Sequence, residues 1–254
     1  MSFAAGETLY LMDEAGKRYW FRFEASMIKL GGLGAIDGSR FADLDDGDSV
    51  TIAGKKFNIF RPTVVDLMAS LDRGAQIITP KDASIILLEC NIHAGTKVIE
   101  VGAGSGGLTT ALTSAVAPSG HVHTLELRAE NAERVLKNLK RTGLDAYWSY
   151  QIGDARTMDI DYGMADVVTT DMPDPENAID NLSAHLRNGG ILCTYVPNVN
   201  QLDLCVRALR KKGFADVRSF ETLRRGMEVH AGGVRPSFEM LGHTGYLTFA
   251  RKKA

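Results

Sequence analysis

Residues Lys97 to Gly107, K-V-I-E-V-G-A-G-S-G-G, constrain this chain more than any other stretch. Lys97 to Val101 is short and β-branched, and Leu108 to Val116 carries apolar residues at helical spacing, so the glycines lie where a strand hands over to a helix. A glycine turn lets backbone approach a ligand closely, and the helix start behind it offers unpaired N–H groups.

Gly102, Gly104 and Gly107 satisfy G-x-G-x-x-G, with Glu126 about 20 residues on, where a ribose-binding acid is expected. That pattern alone is shared with dinucleotide-binding folds. Two carboxylates point instead to S-adenosylmethionine. Glu100 lies in the strand just before the glycines, where negative charge suits a cationic sulfonium and gains nothing from a pyrophosphate. Asp171 is the second.

After residue 71 the βα alternation is regular. Strands are expected near 97–101, 121–126, 147–152, 165–170 and 191–195, and helices near 108–116, 129–141, 175–187 and 200–212. A further helix is expected from Pro80 through Leu88. Such alternation implies an α/β fold, a parallel sheet covered by helices on both faces. Residues 1–70 differ. Alternating runs near Thr8, Lys17, Asp48 and Lys56, split by turn signals, predict a small β domain, followed by a connecting helix over T-V-V-D-L-M-A-S-L. Gly31 to Gly38 and the acidic run Asp43 to Asp48 read as a loop and a turn. The expected division is a β domain at 1–70 and a cofactor-binding domain at 71–254.

Ligands on a parallel sheet bind beyond the carboxyl ends of its strands. Glu126, Asp154 with Ala155, and Asp171 all stand at such ends. Asp171 opens D-M-P-D-P, whose two prolines fix the backbone around a carboxylate able to accept from an exocyclic amine. A ring nitrogen with its own lone pair needs positioning more than acid or base assistance, and Asp171 would orient the base and favour the charge that develops on it.

Composition narrows the setting. No run of about 18 apolar residues and no leader-like N-terminal pattern argue against membrane insertion and secretion, so a cytoplasmic location is expected. Three scattered cysteines, Cys90, Cys193 and Cys205, read as buried thiols. Net charge is −2, yet residues 201–254 hold eleven Lys and Arg against five Asp and Glu, so an anionic partner is to be sought there. Arg207, Arg210, Lys211 and Lys212 by themselves read as one solvated helix face. His121 and His123 share a strand face without a third ligand, so no metal site is expected.

Taken together, the chain resembles the tRNA adenine-N1 methyltransferases that modify adenine 58 in the T-loop. The resemblance rests on F-R-P-T from Phe60, R-G-A-Q-I-I-T-P-K-D from Arg73, E-V-G-A-G-S-G-G-L-T from Glu100, H-T-L-E-L from His123 and D-M-P-D-P from Asp171. R-P at Arg235 and H-T-G-Y-L-T-F-A-R from His243 complete it. It implies a Rossmann-like methyltransferase domain of seven strands, the last antiparallel at Tyr246 to Ala250, and a homotetramer.

By position it gives Gly102, Gly104, Ser105, Gly106 and Gly107 to the donor's amino-acid end and Glu126 to its ribose. Asn131, Asp154 and Ala155 fall on the adenine side, Gln76 and Ile78 close the pocket, and Asp171 is both a pocket residue and the catalytic acid-type residue. Arg235 and His243 are implied RNA contacts. One departure stands out: Thr79 occupies the place of a family tyrosine suited to stacking the target base.

Other readings are a different acceptor, a non-catalytic cofactor-binding scaffold subunit, and a nicotinamide-dependent dehydrogenase. Against the last, no Tyr is followed four residues later by Lys.

Overall fold

The computed structural model describes residues 3–72, 74 and 76–254; Arg73 and Ala75 of the R-G-A-Q segment lie outside them. The chain groups into two compact units, Met1–Ser70 with Lys137–Ala146, and Leu71–Leu136 with Tyr147–Ala254.

In the first unit, β1 (Thr8–Asp13), β2 (Arg18–Arg22), β5 (Ser49–Ile52) and β6 (Lys55–Phe60) form an antiparallel sheet in the order β2-β1-β6-β5. Their inward residues, with Leu9, Leu11, Phe57 and Ile59 among them, pack around Phe41. Ala53 and Gly54 both take positive φ, 49° and 77°, as a tight hairpin between β5 and β6 requires. The expected loop at 31–38 is in part a hairpin, β3 (Met27–Leu30) against β4 (Gly34–Asp37). Its glycines suggested a loop, yet Ile28, Leu30 and Ile36 are buried and hold the two short strands. Helix α1 (Val64–Ala69) begins with a capping box in which Thr63 and Asp66 satisfy each other's backbone N–H.

The second unit carries α2 (Pro80–Glu89), β7 (Lys97–Val101), α3 (Gly107–Val116), β8 (His121–Glu126), α4 (Ala129–Thr142) as far as Leu136, β9 (Trp148–Ile152) and β10 (Ala165–Thr170). It continues with α5 (Ile179–Ala184), β11 (Leu186–Val196), α6 (Val199–Lys211) and β12 (Ala215–Phe220). The hairpin β13 (Met227–His230) and β14 (Gly233–Pro236) precedes the last strand, β15 (Tyr246–Arg251).

The seven-stranded sheet runs β12-β15-β11-β10-β7-β8-β9, with β15 antiparallel to both neighbours. This is a Rossmann-like sheet of seven strands with the last antiparallel, as expected. Two readings are corrected. The helix expected over 175–187 is a 3₁₀ turn, Pro175–Asn177, followed by the six-residue α5, because Leu186 already pairs with Ala165 as the start of β11. Strand β12 has no counterpart among the expected strands, because its residues are exposed or half-buried and form no apolar run.

From β7 the chain winds outward through β8 and β9 and then returns to β10 on the other side, so strand order reverses between β7 and β10. The crevice beyond the carboxyl ends at that reversal is where an open α/β sheet binds its ligand.

Candidate active site

A cleft of about 530 Å³ opens at this reversal. Its lining includes Gln76, Gly102, Gly104, Glu126, Asn131 and Asp171, with Asp154 and Ala155 at the far side.

The glycines of the turn serve different ends. At Gly104 (φ +51°) the nearest atom to an added Cβ would be the Gln76 carbonyl oxygen at 4.0 Å, so bare backbone faces the cleft. Gly102, by contrast, is pressed against Asp171. Gly106 (φ +85°) is the N-cap of α3 and lies 3.2 Å from Val135 by the same measure, and Gly107 lies 2.8 Å from Ile77. Ser105 is buried, and its hydroxyl accepts the Gly74 N–H at 3.0 Å. Ile78 is buried, its carbonyl against Gly107. Ser105, Gly106, Gly107 and Ile78 thus shape the turn from behind, whereas Gly104 is its cleft-facing point.

Glu126 ends β8 with both oxygens anchored. One accepts the Ala103 N–H at 2.8 Å; the other accepts the Arg128 N–H at 2.9 Å and the Asn131 side-chain amide at 3.3 Å. A carboxylate held this way is fixed in place and keeps one lone-pair site, on Oε2, for a hydroxyl donor in the cleft.

Asp154 is engaged differently. The Arg156 guanidinium grips both its oxygens at 2.7 to 3.0 Å and reaches Asp174 at 2.8 Å, tying the end of β9 to the D-M-P-D-P loop. Hydrogen bonds from Arg156 hold the Asp154 carboxyl below the ordinary range. Sequence reasoning missed Arg156 along with Leu127, Arg128 and Met172, which also line the cleft. The signal for Arg156 was an arginine two residues beyond a strand-end acid.

Asp171 follows β10, its N–H donating to the Val101 carbonyl at 2.8 Å. The side chain is reached by solvent from the cleft, yet protein surrounds it closely. That desolvation, reinforced by the Glu126 charge, pushes its pKa up to about 6.

Glu100 corrects the sequence reading. It is 1% exposed and turned into the core under α3, where the Thr109 hydroxyl meets its oxygens at 2.9 and 3.0 Å and the Thr124 hydroxyl at 2.7 Å. Burial pushes its pKa up to about 8. It does not face the cleft.

The family model described as the tRNA methyltransferase complex GCD14 subunit matches residues 57–234. The chain belongs to this family of tRNA methyltransferases. A TrmI protein of Methanocaldococcus jannaschii, named a tRNA (adenine(57)-N(1)/adenine(58)-N(1))-methyltransferase, is 34% identical over 95% of this chain and 93% of its own length. The tRNA (adenine(58)-N(1))-methyltransferase TrmI of Thermus thermophilus is 27% identical over 96% of both chains.

Among solved structures, a SAM-dependent O-methyltransferase from Thermotoga maritima superposes with a TM-score of 0.85 at 29% identity, covering 100% of this chain and 95% of that one. The tRNA (m1A58) methyltransferase TrmI from Aquifex aeolicus gives 0.78 at 25% identity, covering 100% of both.

The three residues that the family resemblance gave to tRNA stand outside the lining of the cleft. Thr79 is the N-cap residue of α2, and its hydroxyl donates to Asp82 at 3.0 Å. Arg235 pairs with Glu228 across the β13–β14 hairpin and lies 4.1 Å over the Phe238 ring. His243 is held between Glu221 and the Pro197 carbonyl, 4.7 Å from the Tyr246 ring.

Elsewhere, His121 and His123 both meet the Ser149 hydroxyl at 2.8 Å, and His123 stacks on Tyr162. No group of three or more His, Cys, Asp or Glu suited to a metal occurs among the described residues, and no helix there is long and apolar enough to cross a membrane. The three cysteines are buried and unbridged.

Proposed function

We propose that this family member transfers the methyl group of S-adenosylmethionine to N1 of adenine 58 in the T-loop of tRNA. The observation that carries the reading is one cleft joining bare backbone at Gly104, an anchored carboxylate at Glu126 and, at Asp171, a carboxyl at the strand end facing them. The cleft has the volume of a small-molecule pocket, and its donor and acceptor set fits a nucleoside carrying an amino-acid end.

Gly104, with Gly102, Ser105, Gly106 and Gly107 shaping the turn, holds the amino-acid end. Glu126 accepts from a ribose hydroxyl, and Asn131, Asp154 and Ala155 surround the adenine, with Gln76 and Ile78 closing from the preceding segment. S-adenosylmethionine, when bound, supplies a methyl carbon activated by its sulfonium. Asp171 accepts from the exocyclic amine of the target adenine and so aims its N1 lone pair at that carbon. N1-methylation leaves the base positively charged, and the ionised Asp171 favours that charge.

Since N1 lies on the pairing edge, the base must leave its stack, at roughly a few kcal/mol. Thr79 serves the tRNA side, as do Arg235 and His243 on the chain's basic C-terminal part. The exposed apolar residues Met227, Val229, Val234 and Phe238 on and beside the β13–β14 hairpin support self-association, in line with a homotetramer working in the cytoplasm, where its substrate is found.

The test is incubation with labelled S-adenosylmethionine and unmodified tRNA, beside Asp171→Ala, with nucleoside mapping by mass spectrometry. Transfer to adenine N1 that disappears in the variant is expected; mapping distinguishes position 58 from 57. Tight cofactor binding without transfer to any tRNA refutes the reading and favours another acceptor or a scaffold role.

A further inference from the structure

Two of the segments that carry the family resemblance, Q-I-I-T-P-K-D and H-T-G-Y, lie apart in sequence and meet in space. The Lys81 ammonium donates to the Thr244 hydroxyl at 2.7 Å, across 163 residues, to Asp82 at 2.6 Å and to the Thr222 hydroxyl at 3.2 Å. Its three N–H donors are thereby spent. Asp82, fully buried, accepts from Lys81 and Thr222 on one oxygen and from Thr79 on the other. The Lys81 side chain is 13% exposed. Taking two charges out of water costs several kcal/mol per ion, and such a pair adds little net stability over an apolar one. Its value here is directional: three chain segments meet at one fixed point.

Those contacts lead toward the cleft. The Tyr195 hydroxyl donates to the Thr244 carbonyl at 2.6 Å, and a Cβ on Gly245 would fall 2.3 Å from the Tyr195 ring, so the ring lies flush on that glycine. Strands β10 and β11 pair with Thr170 opposite Thr194, which sets Tyr195 on the strand end beside Asp171. The path from Lys81 to Asp171 thus runs through Thr244, Gly245 and Tyr195.

We infer that Lys81 and Asp82 are a positioning pair: by fixing the segments around 222 and 244 to the start of α2, they set the wall that presents the tRNA adenine to Asp171. The inference rests on the methyl-transfer reading above. Neither residue lines the cofactor cleft, so the pair acts on the acceptor side.

The experiment compares wild type, Lys81→Met, Thr244→Val and the double variant Lys81→Met/Asp82→Leu, measuring thermal midpoint, S-adenosylmethionine affinity by calorimetry, and kcat and KM for tRNA separately. Lys81→Met leaves Asp82 buried and unpaired and can fail to fold; the double variant removes both charges and keeps the test open. In the folded double variant, cofactor affinity stays within about 3-fold while kcat falls about 100-fold, the scale of a misplaced reacting group. Thr244→Val shows the same pattern, smaller. Unchanged kcat in a folded double variant, or lost activity that tracks lost cofactor affinity, overturns the positioning pair and leaves the methyl-transfer reading standing. Absence of transfer in the wild type overturns both.

Discussion

A Cβ on Gly102 would lie 2.2 Å from the carbonyl oxygen of Asp171, so the first glycine of the turn and the residue after β10 are in backbone contact across the strand-order reversal. Gly102 also takes φ +85°, a region that costs other residues about 1–2 kcal/mol. Gly102→Ala therefore has to push the Asp171 backbone aside. We expect it to lower stability by roughly 1–3 kcal/mol and methyl transfer more than cofactor affinity, measured by denaturant unfolding beside single-turnover kinetics.

Much of this arrangement was legible in the sequence, for reasons that also explain what was not. A parallel sheet puts every strand's carboxyl end on one side, so Glu126, Asp154 and Asp171 could be set on one rim without coordinates. The direction of Glu100 could not. Parallel strands are buried on both faces and give no polar side to read, and here the face carrying Glu100 lies under α3 beside Thr109. The capture of Asp154 by Arg156, and of Thr79 by Asp82, depends on rotamers that spacing permits but does not fix. Nor does periodicity announce that Lys81 and Thr244 meet.

Asp171 is pushed up to about 6 by desolvation and by Glu126, so it is ionised above that pH and loses its charge below it. If its carboxylate orients the acceptor, kcat/KM rises tenfold per unit up to about pH 6 and then levels. Asp171→Asn removes this limb and lowers the plateau roughly 100-fold. Glu126→Gln, by deleting a neighbouring negative charge, moves the limb of the surviving activity to lower pH. A pH–rate profile with no limb in this range contradicts the role.

His243 presents both ring nitrogens to acceptors, Nδ1 to Glu221 at 3.0 Å and Nε2 to the Pro197 carbonyl at 2.7 Å. Only the doubly protonated ring donates to both. The Glu221 carboxylate first, and the Pro197 carbonyl second, raise its pKa from the ordinary 6.5, while Lys81 nearby opposes them. Because the folded value is the higher one, these contacts hold fully below the ordinary pKa and are lost as pH rises through the raised one. An NMR titration should place the His243 midpoint above 6.5, with Glu221→Gln bringing it down. Amide exchange at Thr244 and Gly245, corrected for intrinsic rate, should quicken above the midpoint.

Glu100 gives the clearest stability signature. Its pKa is about 8 in the fold against an ordinary 4.5, because burial outweighs the hydroxyl contacts of Thr124 and Thr109. Between those values the unfolded chain releases a proton that the folded chain keeps. The folded state binds more protons, so this group's contribution to unfolding free energy declines as pH rises from about 4.5 to about 8 and is flat above. Glutamine at this position keeps the shape, and its amide oxygen can accept from the Thr109 or Thr124 hydroxyl as Glu100 does. Denaturant unfolding at a series of pH values should show Glu100→Gln matching wild type near pH 5 and exceeding it by on the order of 2–4 kcal/mol near pH 8, with the wild-type decline absent. Parallel curves for the two proteins would mean that Glu100 is ionised in the fold, and the pull of its two threonine hydroxyls would then have to outweigh its burial.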